Sequence, residues 1–430
     1  MQALEFSVRF PGFSEKCIAV ATGACLTTQA LAFDLVGRDL ITNDPNWNDG
    51  DYYENGAPGT GLAQARKLAH ITYLSGEMMK QKFGRRRREV NLKSVEELAA
   101  ETLKKFEIET YLDHQGQKFI KRFDANSYIH ITRAMDEYDL ESGFDSLAES
   151  LSRTLSRNLV VALSGDWLFL PEQSEDISKA LSSTQKDVSY FCLDADAGHD
   201  AFLTHVNELI EVISNFLTRK PDMIESELSA AKSSDYSRLI NMIPTDIESI
   251  LDLACYDGAL LKRIKQQFPG IKVTGVDIDC KALLKVLRTG YNAMLADVDA
   301  GLKNIPDDAF DCAVLSESLQ VMKRPDKVLQ ELLRIAPVGL VSFPNFAVWR
   351  IRISLLFKGR MPKTRQLPYE WYNTPNIHLC TIRDFFDLCE SLGIGVEKAE
   401  YMSTSLFGRI LNKLGMKNLG ASRVLVKISR

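Results

Sequence analysis

Four neighbouring stretches decide how this chain folds: Asn158–Asp166 (NLVVALSGD), Glu172–Leu181 (EQSEDISKAL), Asp187–Asp194 (DVSYFCLD) and Phe202–Leu217 (FLTHVNELIEVISNFL). The first and third are short apolar runs that end on an acid. The second and fourth carry the spacing of amphipathic helices. Strand, helix, strand, helix is the signature of a parallel sheet with helices on its faces. Upstream, from Gln29 to about Arg157, the pattern is almost wholly helical. Before that, Met1–Thr28 reads as a helix with Leu4 and Val8 inside, closed at Pro11-Gly12, and then a strand at Cys17–Ala21 (CIAVA). No Ser, Thr, Asp or Asn precedes that first helix to cap it. A helical block between strands of a parallel sheet marks a lid.

Downstream the chain turns polar (TRKPDMIESELSAAKSSDYS), and a second alternation begins. ESILDLA, KVTGVDID, AMLADVD, FDCAVLSES and GLVSFP are strand-like, most of them separated by helical patterns, and GVEKAEYMST and SRVLVKIS read as closing strands. The expected organisation is a first domain over 1–220 with its lid at about 29–157, a linker over 221–237 and a doubly wound sheet over 238–430.

The totals agree with two domains, since 430 residues exceed one ordinary core. A net charge of −5 offers no footprint for nucleic acid. Arg85–Arg88 (RRRR) is short, precedes acidic residues and reads as a solvated helix end or loop. No apolar stretch is long enough to span a bilayer, so no membrane partner is expected. Eight cysteines, at 17, 25, 192, 255, 280, 312, 380 and 389, form no C-x-x-C pair. That spacing speaks against disulfides and structural zinc and for a reduced cytoplasm. His378 lacks a second ligand at suitable spacing, so no metal is expected.

Asp166 closes one strand and His199 follows the next, so both would stand above one sheet edge. There a carboxylate can hold an imidazole's tautomer while the other ring nitrogen acts as base. The bland alternative is a helix-capping Asp and a loop His. The stretches DPNWNDGDYY, AHITYLS, KFGR, RFDANSYIHITRAMD, DWLFLPEQS and GHDAFL resemble the homoserine O-acyltransferase family of α/β-hydrolases, from Met1 to about Leu217. The resemblance implies a Ser-Asp-His triad with Asp166 as acid and His199 as base, homoserine held by Arg66 and Asp200, and acyl-CoA as donor. A guanidinium suits the amino acid's carboxylate and a carboxylate its ammonium. In the family, MQALE follows the elbow G-x-S-x-G-G, so its Ser would lie just before Met1. No G-x-S-x-G occurs in the 430 residues. The expectation is therefore a partial α/β-hydrolase, its last strands plus lid, that is inactive in acyl transfer by itself.

In the second half, LDLACYDG (Leu251–Gly258) occupies the glycine-rich turn of a class I methyltransferase-type sheet. Asp252 ends its first strand, Asp277 stands at the ribose position, and Asp297 stands where an adenine-contacting acid would sit. Ala254 and Tyr256 replace expected glycines and Gly258 is kept, so the turn departs from the pattern of an S-adenosylmethionine site, and the acids read equally as helix caps. LSESLQVMKRPDKVLQELLRI, VSFPNFAVWRIRISLLFKGRMP and LPYEWYNTPNIHLCTIRDF resemble the methionine biosynthesis protein MetW family, over about Ser237–Ala399. Thr381 and Asp384 form a capping pair. Trp349, Trp371 and Tyr372 with Arg350, Arg352 and His378 read either as a packed subdomain or as a recognition surface. Together the resemblances imply methionine biosynthesis: an acyltransferase fused to its companion, with acetyl or succinyl left open. The alternatives are a non-catalytic partner of an acyltransferase and an S-adenosylmethionine-dependent methyltransferase. A homodimer through the lid is a further possibility.

Overall fold

The structure, a computed structural model, describes residues 1–87, 106–195, 198–204, 206–218, 230–361, 363 and 369–430. Parts of the expected lid (88–105, with Arg88) and of the expected linker (221–229) lie outside the described residues. The chain divides into two compact units, Met1–Ile213 and Ser214–Arg430.

In the first unit, β1 (Lys16–Val20), β2 (Arg157–Leu163) and β3 (Val188–Leu193) lie parallel in that order, with Lys16 opposite Arg157 and Asn158 opposite Val188. Every residue of β2 after Arg157 is buried, as the unbroken apolar run requires of a strand covered on both faces. The helix Pro171–Ser183 connects β2 to β3 and starts on a proline, whose missing N–H costs nothing at that position. Between β1 and β2 the chain is helical: Thr28–Thr42, Gly59–Tyr73, Gly76–Lys82, Glu107–Phe119, Ala125–Asp136 and Leu147–Ser152. These helices build their own core from Ile41, Tyr52, Leu62, Ala65, Phe119, Ala125 and Ile129. The opening helix, Gln2–Arg9, has no side-chain cap. The Met1 nitrogen instead donates to Thr22 Oγ1 at 2.6 Å, and the Met1 carbonyl accepts from the Tyr138 hydroxyl.

The second unit has β4 (Ser249–Leu253), β5 (Lys272–Asp277), β6 (Asn292–Leu295), β7 (Cys312–Ser316), β8 (Val338–Pro344), β9 (Gly395–Met402) and β10 (Arg423–Ser429). Strands β6, β5, β4, β7 and β8 are parallel in that spatial order, and β10 then β9 add an antiparallel hairpin at the edge. This is a doubly wound, methyltransferase-type sheet whose order reverses between β4 and β7. Residues 230–237, read from composition as linker, belong to a helix, Ala230–Ile240. Its Ser- and Lys-rich start hides an apolar end at Leu239 and Ile240, both buried.

Candidate active site and cofactor-type turn

Asp166 lies in the turn that leaves β2. Its Oδ1 accepts the backbone N–H groups of Leu168 and Phe169, both at 3.0 Å, and its Oδ2 meets His199 Nδ1 at 2.7 Å. The carboxylate is buried. One oxygen is fixed by the chain and the other aims the imidazole, so the capping role and the pairing role coexist. With Nδ1 engaged, Nε2 is the ring nitrogen left to exchange a proton.

His199 sits in the short turn Gly198–Asp200 after β3. Gly198 adopts φ +69°, and a Cβ there would lie 2.7 to 2.9 Å from the backbone of Tyr73, Leu74 and Ser75. The lid thus rests directly on the turn that carries His199. Around the imidazole stand Phe169 (ring centroids 5.2 Å), Phe202 (5.4 Å) and Tyr73 (6.4 Å). Trp167 donates its indole N–H to the Leu74 carbonyl at 3.3 Å, a second tie between this edge and the lid.

Arg66, on the lid helix Gly59–Tyr73, donates to the Tyr73 hydroxyl at 2.9 Å. Its guanidinium lies over the rings of Tyr73 (5.0 Å) and Phe119 (4.6 Å). Burial pushes the Asp200 carboxyl up, and the His199 and Arg66 charges pull it back. Asp166 and His199 are therefore paired directly, and the charges of His199 and Arg66 both act on the Asp200 carboxyl. His70, one turn beyond Arg66, is buried, and neither ring nitrogen has a hydrogen-bond partner among the described residues. Burial, then the Arg66 charge, pushes its pKa down to about 4. Tyr73, Phe169 and Trp167 were not anticipated. A signal existed for Tyr73, which lies seven residues after Arg66 and so on the same helix face.

In the second unit, Asp277 ends β5. Its Oδ2 accepts the Tyr256 N–H at 2.7 Å and its Oδ1 the Asp279 N–H at 2.9 Å. Asp297 accepts the Asp299 N–H at 2.9 Å and caps a short turn. Asp252 is buried in β4, and burial followed by the Asp277 charge drives its carboxyl well above the ordinary range. Ala254 and Tyr256 have φ +55° and +50°, and Gly258 has +76°. Tyr256 is 61% exposed. Thr381 and Asp384 form the expected capping box.

The aromatic segment divides. Trp349 packs edge-on against Phe407 at 5.1 Å. Trp371 and Tyr372 stand exposed, as do Leu356 and Phe357 of the helix Trp349–Lys358 and Leu406 and Leu414 beside the helix Leu406–Lys413. Residues 345–369 and 401–430 contain no Asp or Glu. Arg85–Arg87 are exposed, with Arg86 paired to Glu107 at 2.8 Å. Among the described residues no group of His, Cys, Asp and Glu could hold a metal, and no helix is long and apolar enough to cross a membrane.

The sequence model of the family described as "Methionine biosynthesis protein MetW" matches residues 233–425. The bifunctional methionine biosynthesis protein MetXA/MetW of Rhodopirellula baltica is 34% identical over 444 residues, covering 100% of this chain and 70% of that protein. Homoserine O-acetyltransferase of Methanohalobium evestigatum is 44% identical over 218 residues, covering 51% of this chain and 43% of that protein. Among solved structures, homoserine O-acetyltransferase from Bacillus anthracis aligns with a TM-score of 0.46 and 21% identity, covering 51% of this chain and 57% of that one.

Proposed function

The chain belongs to the family of the bifunctional methionine biosynthesis protein MetXA/MetW, and on that premise we propose that its first unit carries the acid–base half of a homoserine O-acyltransferase. The observation that carries this reading is the 2.7 Å Asp166–His199 pair, set under an aromatic wall. In the proposed reaction a serine attacks the acyl-CoA carbonyl while His199 Nε2 takes its proton. His199 then returns that proton to the leaving thiolate of coenzyme A. In the second half it removes the proton of the homoserine hydroxyl, which attacks the acyl-enzyme; the serine oxygen leaves, takes that proton from His199, and O-acyl-homoserine is released. Asp166 holds the tautomer and stabilises the imidazolium. Arg66 receives the acceptor's carboxylate and Asp200 its ammonium. The names of the relatives favour acetyl as the donor group. Eight free cysteines support a reducing, cytoplasmic setting.

The serine is proposed to come from a segment outside these 430 residues. Three observations support this. No G-x-S-x-G occurs in the chain. Met1 packs against the cluster containing Phe169, whose ring lies on His199. The chain spans 70% of its bifunctional relative and about half of the homoserine O-acetyltransferases it matches.

The second unit is proposed to act as a companion that engages protein. Its acid-free segments, exposed Leu356, Phe357, Leu406 and Leu414, and exposed Trp371 and Tyr372 favour a recognition surface over a closed subdomain. Fusion would hold such a companion near the catalytic unit at an effective concentration in about the millimolar range.

The acceptor half of the proposal is tested on the chain as it is. L-homoserine is titrated while the imidazole signals are followed by NMR. The reading expects saturable shifts at His199 that vanish in Arg66→Ala. Unmoved His199 signals at saturating millimolar amino acid would defeat it.

A further inference from the structure

The second unit has the sheet of a methyltransferase, and ligands of such sheets bind outside the strand ends where the order reverses, which here is between β4 and β7. A cofactor there needs a loop whose backbone it can approach and an acid free to accept two ribose hydroxyls.

We propose that this unit does not take the S-adenosylmethionine of its fold, because the residues at those two places have been given to holding the chain itself. The first is the loop. Glycine allows both left-handed backbone and close approach of a ligand. Ala254 and Tyr256 keep the left-handed backbone, at φ +55° and +50°, but add side chains at both positions. The second is the ribose acid. Each oxygen of Asp277 accepts a backbone N–H, one from Tyr256 in the loop and one from Asp279, and the residue is only 9% exposed. It works as a clamp that ties the β4 turn to the end of β5, and the Cys255 N–H to Val276 carbonyl bond at 3.0 Å runs alongside.

Beyond β7, Arg423 of β10 pairs with Asp235 from the helix Ala230–Ile240 and, at 2.7 Å, with Glu317. Asp297, the remaining candidate, is a turn cap. The inference stands on the second unit alone and is independent of the acyl-transfer reading.

The test titrates the full chain with S-adenosylmethionine and S-adenosylhomocysteine by calorimetry and thermal shift. It expects neither binding heat nor a shift at millimolar ligand; saturable binding of either one overturns the proposal. The same preparation carries Asp277→Ala and the milder Asp277→Asn. As a clamp, Asp277 predicts a lowered unfolding midpoint in both variants, with the larger loss in the alanine variant, and faster amide exchange at Tyr256. An acid kept for a ligand would leave the free protein unmoved, so unchanged midpoint and exchange also overturn it.

Discussion

The turn carrying His199 is held between the sheet and the lid with no space for one added carbon, and Gly198→Ala measures how much that matters. A Cβ at 198 would stand 2.7 Å from the Ser75 nitrogen, 2.8 Å from the Leu74 carbonyl carbon and 2.9 Å from the Tyr73 oxygen. All three are backbone atoms, so relief requires moving the Tyr73–Ser75 turn or the His199 turn as a body. The left-handed φ of +69° adds about 1–2 kcal/mol for any residue with a Cβ, and overpacking adds about 1–3 kcal/mol. A central value of about 3 kcal/mol corresponds to a fall of about 6–12 °C in the midpoint of a unit this size. The assay is thermal or urea unfolding of the first unit's transition. It is read together with the His199 ring-proton resonance, which reports the bond to Asp166. The variant is expected to lose stability and to weaken or broaden that resonance. A midpoint within about 1 °C of the parent, below what 1 kcal/mol would produce, with the resonance unchanged, would refute the close packing of lid on turn.

In the proposed polypeptide extended upstream of Met1, Asp166→Asn should leave unfolding nearly unchanged yet cut acyl transfer by about 10⁴, as expected when the imidazole is held in the wrong tautomer; steady-state coenzyme A release measures it. Asp34 provides a pH dependence of stability: burial, then the neighbouring Asp136 charge, raises its carboxyl from 3.8 to about 7. The folded state therefore binds the extra proton, so this contribution is full below pH 4 and is lost as pH rises through 7. Unfolding midpoints of Asp34→Asn should lose that decline. His70 acts in the opposite sense: lowered from 6.5 to about 4, it contributes above pH 6.5 and loses its contribution as pH falls toward 4. His70→Gln should flatten that acid-side loss in the same scan. Leu356→Asp with Phe357→Asp changes two exposed side chains. It should shift stability by no more than about 0.5 kcal/mol while removing any stimulation of acyl transfer by the second unit.

Much of the architecture was legible because both sheets are built from apolar runs too short for helices and bounded by acids or glycines. β2 and β4, buried along almost their whole length, are the clearest cases. Asp166 and His199 could be paired from their places after consecutive strands, since strand order fixes which ends share an edge. The aromatic wall was not legible. Phe169, Tyr73 and Trp167 meet only after the lid folds back onto the sheet, and nothing in local spacing encodes that. The Arg423 link to Asp235 and Glu317 joins three distant elements of the second unit and is equally silent in the sequence. The helix Ala230–Ile240 was masked by its polar start, where composition favours a linker and tertiary burial of Leu239 and Ile240 decides for helix.

Asp166 and His199 are proposed to serve homoserine acylation with a serine from outside these residues. Coenzyme A release from acetyl-CoA in the presence of L-homoserine tests it most directly. The measurement compares the 430-residue chain, the polypeptide encoded in frame upstream of and through Met1, and the latter with His199→Ala. The account predicts turnover only in the longer polypeptide and its loss, by about 10⁴ or more, in the His199 variant. Robust turnover by the 430-residue chain alone, or by the His199→Ala polypeptide, would contradict it.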